Sequence, residues 1–265
     1  MTSPATAELF CLHGFLGGGS DWDTVFATGK AARSIHAVDW LAELGAAAPS
    51  WSQIAARVNA WALSVGAPRA ALEKSRRILV GYSLGGRVAM HALLASPAQW
   101  SGAVIVAANP GLRSVAEREQ RLTHDREWAR SFRTEAWDAV IADWNAQSVF
   151  AGEAAPMARR ESVAAREAAV AALERFSLAR QDDLRPALRR LALPVLWVAG
   201  ARDTKYVTLM RECAALNSRF RYAEVPGAGH RAPWTGAAYF EMVVRDWIET
   251  VPIMASHEHE DAQPT

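Results

Sequence analysis

Lysine is nearly missing from this chain. Of its 265 residues only Lys30, Lys74 and Lys205 are lysine, so 26 of the 29 cations are arginine. Against them stand 28 Asp and Glu, a formal charge of +1. With no basic excess to neutralise a phosphate backbone, nucleic acid is excluded as a partner. No apolar run approaches the roughly 20 residues that cross a bilayer, so no membrane partner is expected either. Cys11 and Cys213 are the only cysteines. Two cannot build a disulfide framework or a cysteine metal site, and both are expected to be reduced and buried. The start, MTSPATAELF, lacks the charged beginning and long apolar stretch of a signal peptide, and the expected location is cytoplasmic.

The lopsided cation usage has two readings. Compositional bias of the source explains most of it, and the abundant alanine agrees. Alternatively, a few of the arginines bind anions, because the guanidinium fork matches carboxylates and phosphates. Both can hold together.

At 51% hydrophobic and 22% charged, the rest is the composition of a globular protein with a sizeable core. Short apolar runs predict strands at Glu8–Leu12, Ser34–Val38, Arg77–Gly81, Ala103–Ala107, Val195–Ala199 and Arg219–Val225. Helical patterns separate them at Ser50–Ser64, Leu84–Ala95, Thr204–Leu216 and Thr235–Thr250. Such alternation predicts an α/β fold with a mostly parallel sheet, helices covering both faces. From Leu112 to Arg190 no strand is read, only helical patterns with 14 arginines and 13 acidic residues. We expect a core from residues 1–111 and 191–253, with 112–190 as a helical cap over the carboxyl ends of the strands. The other reading of 112–190 is a separate helical domain. Residues 254–265 read as a polar, disordered tail, and its His257-Glu258-His259 is not expected to be a native metal site.

The sharpest motif is Gly81-Tyr82-Ser83-Leu84-Gly85, after the Ile78-Leu79-Val80 strand and opening a helix. This is G-x-S-x-G in the strand–turn–helix setting that lifts a serine hydroxyl above a sheet. An oxyanion hole needs two backbone N–H groups. Leu84, directly after the serine, should give one, and Phe15, in the His13–Gly19 loop after the first strand, the other. That glycine-rich loop is not a phosphate-binding loop: Gly29-Lys30 is followed by Ala31, and Thr24 stands where a glycine is required. The serine needs a base, and the base an orienting carboxylate. His230, after the last strand, fits the base. Asp203, after the Val195–Ala199 strand, fits the acid, though a carboxylate there could instead cap the helix from Thr204.

With these residues in place the chain resembles the α/β-hydrolase superfamily. It is most similar to one family within it, the 2-succinyl-6-hydroxy-2,4-cyclohexadiene-1-carboxylate synthases of menaquinone biosynthesis. Gly81 to Met90 carries much of this. Asn109-Pro110-Gly111-Leu112, Arg121 with Asp125-Arg126, Asp143-Trp144 with Gln147 and Val149-Phe150 also carry it, as do Ser177-Leu178-Ala179, Asp183-Leu184-Arg185 and Gly200 with Asp203 to Tyr206. The resemblance implies a lyase that needs no cofactor. The serine, held by the histidine–aspartate pair, removes a proton from 2-succinyl-5-enolpyruvyl-6-hydroxy-3-cyclohexene-1-carboxylate, and pyruvate leaves. It further implies that Arg87 and Arg121, with Arg166 third, bind carboxylates of this small-molecule substrate, and that Tyr82 and Trp144 line the pocket. Two features depart from the family. Asp39 to Gly45 replaces a Pro-Gly-His-Gly turn common among relatives, and no segment reads as the two opening strands common in the superfamily, leaving a sheet of about six. A serine hydrolase of an ester, thioester or carbon–carbon bond through an acyl-enzyme is the alternative, and a non-catalytic ligand-binding protein on this fold is another. The oligomeric state is left open.

Overall fold

The computed structural model describes residues 6–26, 33–45, 50–67, 75–153 and 159–253. Gly29-Lys30 and the 254–265 tail, with His257 and His259, lie outside the described residues. Six strands, β1 (Thr6–Leu12), β2 (Arg33–Val38), β3 (Ser75–Tyr82), β4 (Gly102–Val106), β5 (Val195–Gly200) and β6 (Phe220–Val225), form one sheet in the order β2-β1-β3-β4-β5-β6. Every neighbouring pair is parallel. All six fall where apolar runs predict them, to within one or two residues.

The sheet is buried on both faces, which is why its strands read as continuous apolar runs. Along β1, Phe10 and Leu12 point into one core layer, packed with α1 (Trp51–Val65) and α2 (Leu84–Ala95). Leu9 and Cys11 point into the opposite layer, where Phe240, Val244 and Trp247 of α9 (Ala237–Thr250) close the face. Both cysteines are free and buried. The helix expected from Thr235 instead breaks at Gly236, leaving a separate short turn, α8 (Ala232–Thr235).

Between β4 and β5 the described residues hold no strand, as expected. They form α3 (Val115–Thr134), α4 (Trp137–Asn145), α5 (Val163–Arg175) and α6 (Arg185–Leu188). Ser114 and Glu117 close a capping box at the start of α3, worth about 1 kcal/mol. Phe132, Trp137, Val140 and Leu173 give this segment an apolar cluster of its own, yet Phe15 and Leu16 from the β1 loop pack into it. The ends of the segment are tied together: Leu184 N–H donates to Pro110 O at 2.8 Å, and Gln181 Nε2 to Asn109 O at 3.1 Å.

Chain order makes β1 a switch point, since β2 lies on one side of it and β3 on the other. Ligands of open α/β sheets bind at the carboxyl ends flanking such a point. Leu12 pairs in register with Gly81, which places the His13–Gly19 loop beside Ser83. The approach is close: a Cβ on Gly85 would lie 2.3 Å from Leu12 O, so only glycine fits there. Among the described residues no helix is long and apolar enough to cross a membrane.

Candidate active site

Ser83 sits at φ 52°, ψ −113°, a conformation that costs a non-glycine residue about 1–3 kcal/mol. The turn is held because Ser83 N–H donates to Val106 O at 2.9 Å, and α2 begins at once. His230 Nε2 lies 3.3 Å from Ser83 Oγ, and His230 Nδ1 lies 2.7 Å from Asp203 Oδ2. A carboxylate can only accept, so Nδ1 carries the proton and Nε2 is left as acceptor for the serine hydroxyl. Asp203 makes the contacts that both readings call for. Its second oxygen, Oδ1, accepts the Tyr206 N–H at 3.3 Å and caps α7 (Thr204–Ala214). The loops bearing acid and base are joined where Ala201 N–H donates to Val225 O and Arg202 N–H to Ala228 O. Aromatic rings enclose the imidazole, with Tyr206 at 4.7 Å, Tyr82 at 5.5 Å and Phe150 at 5.6 Å.

The two backbone segments that carry the expected oxyanion donors, Phe15 and Leu84, run close to each other, with Gly85 packed against Leu12 and His13. Leu84 is the first residue of α2, where the N–H has no partner within the helix. The Phe15 loop is folded by Gly17 N–H and His13 Nδ1, which both contact Gly14 O. A Cβ on Gly14 would come within 2.7 Å of the Tyr82 ring and 3.4 Å of Ser83 Cβ. Asp39 to Gly45 supports this loop from behind. Asp39 accepts the Gly19 N–H, and Trp40 Nε1 donates to His13 O at 2.8 Å.

Arg87, one turn after the serine, is buried, with its guanidinium 5.3 Å from the Trp51 ring. Its Nη1 is buried with no hydrogen-bond partner. Burial first, and the neighbouring Arg121 charge second, pull this guanidinium down to about 9, so it stays charged at neutral pH. Next to it, burial and Arg87 push His91 down to about 4, so His91 is neutral there and adds no charge. Arg121 Nε donates to Asp125 Oδ1 at 2.8 Å. Burial pushes the Tyr206 phenol up, the charges of Arg121, Arg87 and Asp203 act on it as well, and its ring packs against His230. Asp125 offsets part of the Arg121 repulsion, yet a buried guanidinium remains costly to hold, and a further anion beside it would lower that cost. The arrangement is suited to an organic carboxylate beside the serine.

On the other flank lies a cavity of about 50 Å³ walled by Phe15, Tyr82, Trp144, Phe150, Arg231 and Trp234. Trp144 packs on Phe15 with ring centres 4.4 Å apart. A larger open depression, about 550 Å³, lies over the β2 edge, but Asp23, Asp39 and Glu43 line it and no triad member does. Its charge suits no carboxylate.

Residues 9–242 match the alpha/beta hydrolase family. The 2-succinyl-6-hydroxy-2,4-cyclohexadiene-1-carboxylate synthase of Serratia proteamaculans (strain 568) is 36% identical over 249 residues, spanning 91% of this chain and 92% of that protein. The chain belongs to that family of synthases. The synthase of Escherichia coli O1:K1 / APEC is 45% identical over 159 residues, 58% of this chain and 61% of that relative. MenH from S. aureus has the same fold, with a TM-score of 0.77 at 18% identity over 94% of this chain and 95% of that one.

None of the three expected carboxylate-binding arginines of this synthase-family chain lines the small cavity. Arg166 is held elsewhere: Nε donates to Glu161 at 2.6 Å, Nη1 to Phe132 O at 2.6 Å, and the guanidinium lies 5.5 Å from the Trp137 ring. Those contacts turn it from α5 toward α3 and α4. The arginines that do line the cavity are Arg159, in a two-bond pair with buried Asp21 at 3.0 and 2.7 Å, and Arg231, which hydrogen-bonds Asn145. Arg159 and Asp21 are 138 residues apart, so spacing could not have paired them. Arg231 and Tyr206, by contrast, adjoin the His230 and Asp203 motifs.

Proposed function

We propose that this enzyme eliminates pyruvate from 2-succinyl-5-enolpyruvyl-6-hydroxy-3-cyclohexene-1-carboxylate, in the cytoplasm, with Ser83 as base and His230 and Asp203 behind it. The observation that carries the site assignment is the buried Arg87 guanidinium with an unpartnered Nη1, alongside Arg121 and one turn after Ser83 on α2. A hydrolase of neutral esters has no use for such a pair.

The chemistry follows from the substrate. The proton at C2, next to the succinyl ketone, is removed by Ser83 Oγ as the hydroxyl proton passes to His230 Nε2. The electron pair forms the C2–C3 double bond, the ring double bond moves to C4–C5, and the bond from C5 to the enolpyruvyl oxygen breaks. The enolpyruvate picks up a proton to become pyruvate. Negative charge grows on the succinyl ketone oxygen, where the Phe15 and Leu84 N–H groups serve as the oxyanion donors. Arg87 and Arg121 hold substrate carboxylates, while Tyr82 and Trp144 wall the ring. The 50 Å³ beside Tyr82 and Trp144 is well below the roughly 300 Å³ of a small ligand site, so substrate entry requires the cavity to widen.

Supplying this substrate should release one pyruvate per turnover, with little turnover of short aryl esters. Rapid ester cleavage without pyruvate would overturn the elimination and favour an acyl-enzyme. Arg87→Ala should lose about 10- to 100-fold in catalytic efficiency, the worth of a charge-assisted hydrogen bond, with stability barely changed. Arg87→Met tests the charge itself by denaturation. The folded arginine gives up its proton at about 9, below its unfolded value, so between the two the unfolded state holds more protons. Wild-type stability therefore rises with pH in that window. The Met variant should be the more stable at pH 7, and its margin should shrink above about 9.

A further inference from the structure

Triad residues are positioned by their backbones, and the backbone around His230 is held from an unexpected place. Glu153 lies just beyond the Ser148–Phe150 turn of the helical segment, anchored by its own N–H to Phe150 O at 3.0 Å. Its carboxylate brackets the histidine. Oε1 accepts the Gly229 N–H at 2.8 Å, and Oε2 accepts the Arg231 N–H at 3.0 Å. Thr235 Oγ1 donates to Oε1 at 2.9 Å. The fit is tight enough that a Cβ on Gly229 would fall 2.7 Å from the Glu153 carboxyl carbon.

The same turn reaches the acid loop. Gly152, at φ +74°, turns its carbonyl to accept from Arg202 Nη2 at 3.2 Å, next to Asp203. Phe150 lies against the imidazole itself. One short stretch of the insertion thus grips the loops of both acid and base, and Glu153 makes three of the bonds. Neither Gly229 nor Arg231 donates its N–H within a strand or helix, so the carboxylate supplies what secondary structure does not.

We infer that Glu153 is a positioning residue: by binding the amides on either side of His230 it keeps Nε2 within reach of Ser83 and ties that alignment to the insertion that walls the pocket. This rests on the elimination reading only for its substrate. Glu153 touches neither substrate nor reacting atoms, so its removal should act on kcat and spare KM.

The test compares wild type, Glu153→Ala, Glu153→Gln and, as a control on the same segment, Glu174→Ala, whose carboxylate pairs with exposed Arg133. Glu153→Ala should lower kcat about 10- to 100-fold, the scale of a small misplacement of a reacting group. KM should change by less than about twofold. Glu153→Gln keeps one accepting oxygen and should fall between, while Glu174→Ala should match wild type. In proton NMR without substrate, the downfield Nδ1–H resonance of His230 should broaden or move in Glu153→Ala. A raised KM at unchanged kcat, or an unmoved resonance with wild-type kcat, would overturn the inference. If wild type releases no pyruvate, the elimination reading fails separately. Glu153 is then judged by phosphonylation of Ser83 with a fluorophosphonate, in which the Oγ–P bond forms and fluoride leaves. That rate should fall by the same factor in Glu153→Ala, and an unchanged rate would sink the positioning role.

Discussion

Ser83→Ala should yield a folded protein whose pyruvate release falls by about a thousand- to ten-thousand-fold, the upper range for a general base. The alanine keeps the Cβ, the Ser83 N–H bond to Val106 and the start of α2, so the elbow has no reason to rearrange. Only the hydroxyl between His230 and the substrate is gone. Ser83→Gly should be equally inactive but differ in stability. At φ 52°, ψ −113° the serine backbone is strained, and glycine relieves that strain. After the extra chain entropy that glycine loses on folding, a gain of about 1 kcal/mol remains. Thermal unfolding of the three proteins checks it. If glycine destabilises as much as an ordinary helix-start substitution, the strain is not there. If Ser83→Ala keeps substantial turnover, the serine is not the base.

The turn around Ser83 was legible in the sequence because Gly81 and Gly85 frame it, and in the structure both sit where backbone approaches too closely for a Cβ. The sheet was legible for a related reason. Burial on both faces removes the usual alternation and leaves bare runs such as Ile78-Leu79-Val80, which no surface strand could afford. His230 and Asp203 could be found because chain order and strand ends constrain where a base and its carboxylate can stand. What escaped lies in the helical insertion. There, spacing says which residues share a helix face but not which neighbour the face meets. Arg166 sits on a plausible face and is spent on Glu161 and Phe132. Arg159, seven residues earlier, crosses to Asp21, and Glu153 crosses to the His230 loop. Such contacts join segments with no local signal in common. The unpartnered Nη1 of Arg87 is likewise a property of packing, although its place one turn after the serine pointed to it.

Asp203→Asn should cost almost as much activity as Ser83→Ala while leaving the fold as stable as wild type. The two oxygens of this carboxylate divide the work: Oδ2 takes the His230 Nδ1–H and Oδ1 caps α7 through Tyr206 N–H. Asparagine caps a helix about as well as aspartate, so the second function survives. The first does not. If the amide oxygen stays on Tyr206, the amide NH₂ faces Nδ1 and donates to it, driving the ring proton to Nε2. The serine hydroxyl then meets a donor where it needs an acceptor, a tautomer fault worth about 10,000-fold in a comparable triad. Asp203→Ala separates the functions. It should be as inactive as the asparagine variant and, in addition, less stable by about 1 kcal/mol for the lost cap. Because serine, histidine and aspartate act as one relay, their losses should not add. The double variant Ser83→Ala with Asp203→Asn should be no slower than Ser83→Ala alone. Were the double variant slower by the product of the two factors, Asp203 would be contributing to turnover by a route that does not pass through the serine.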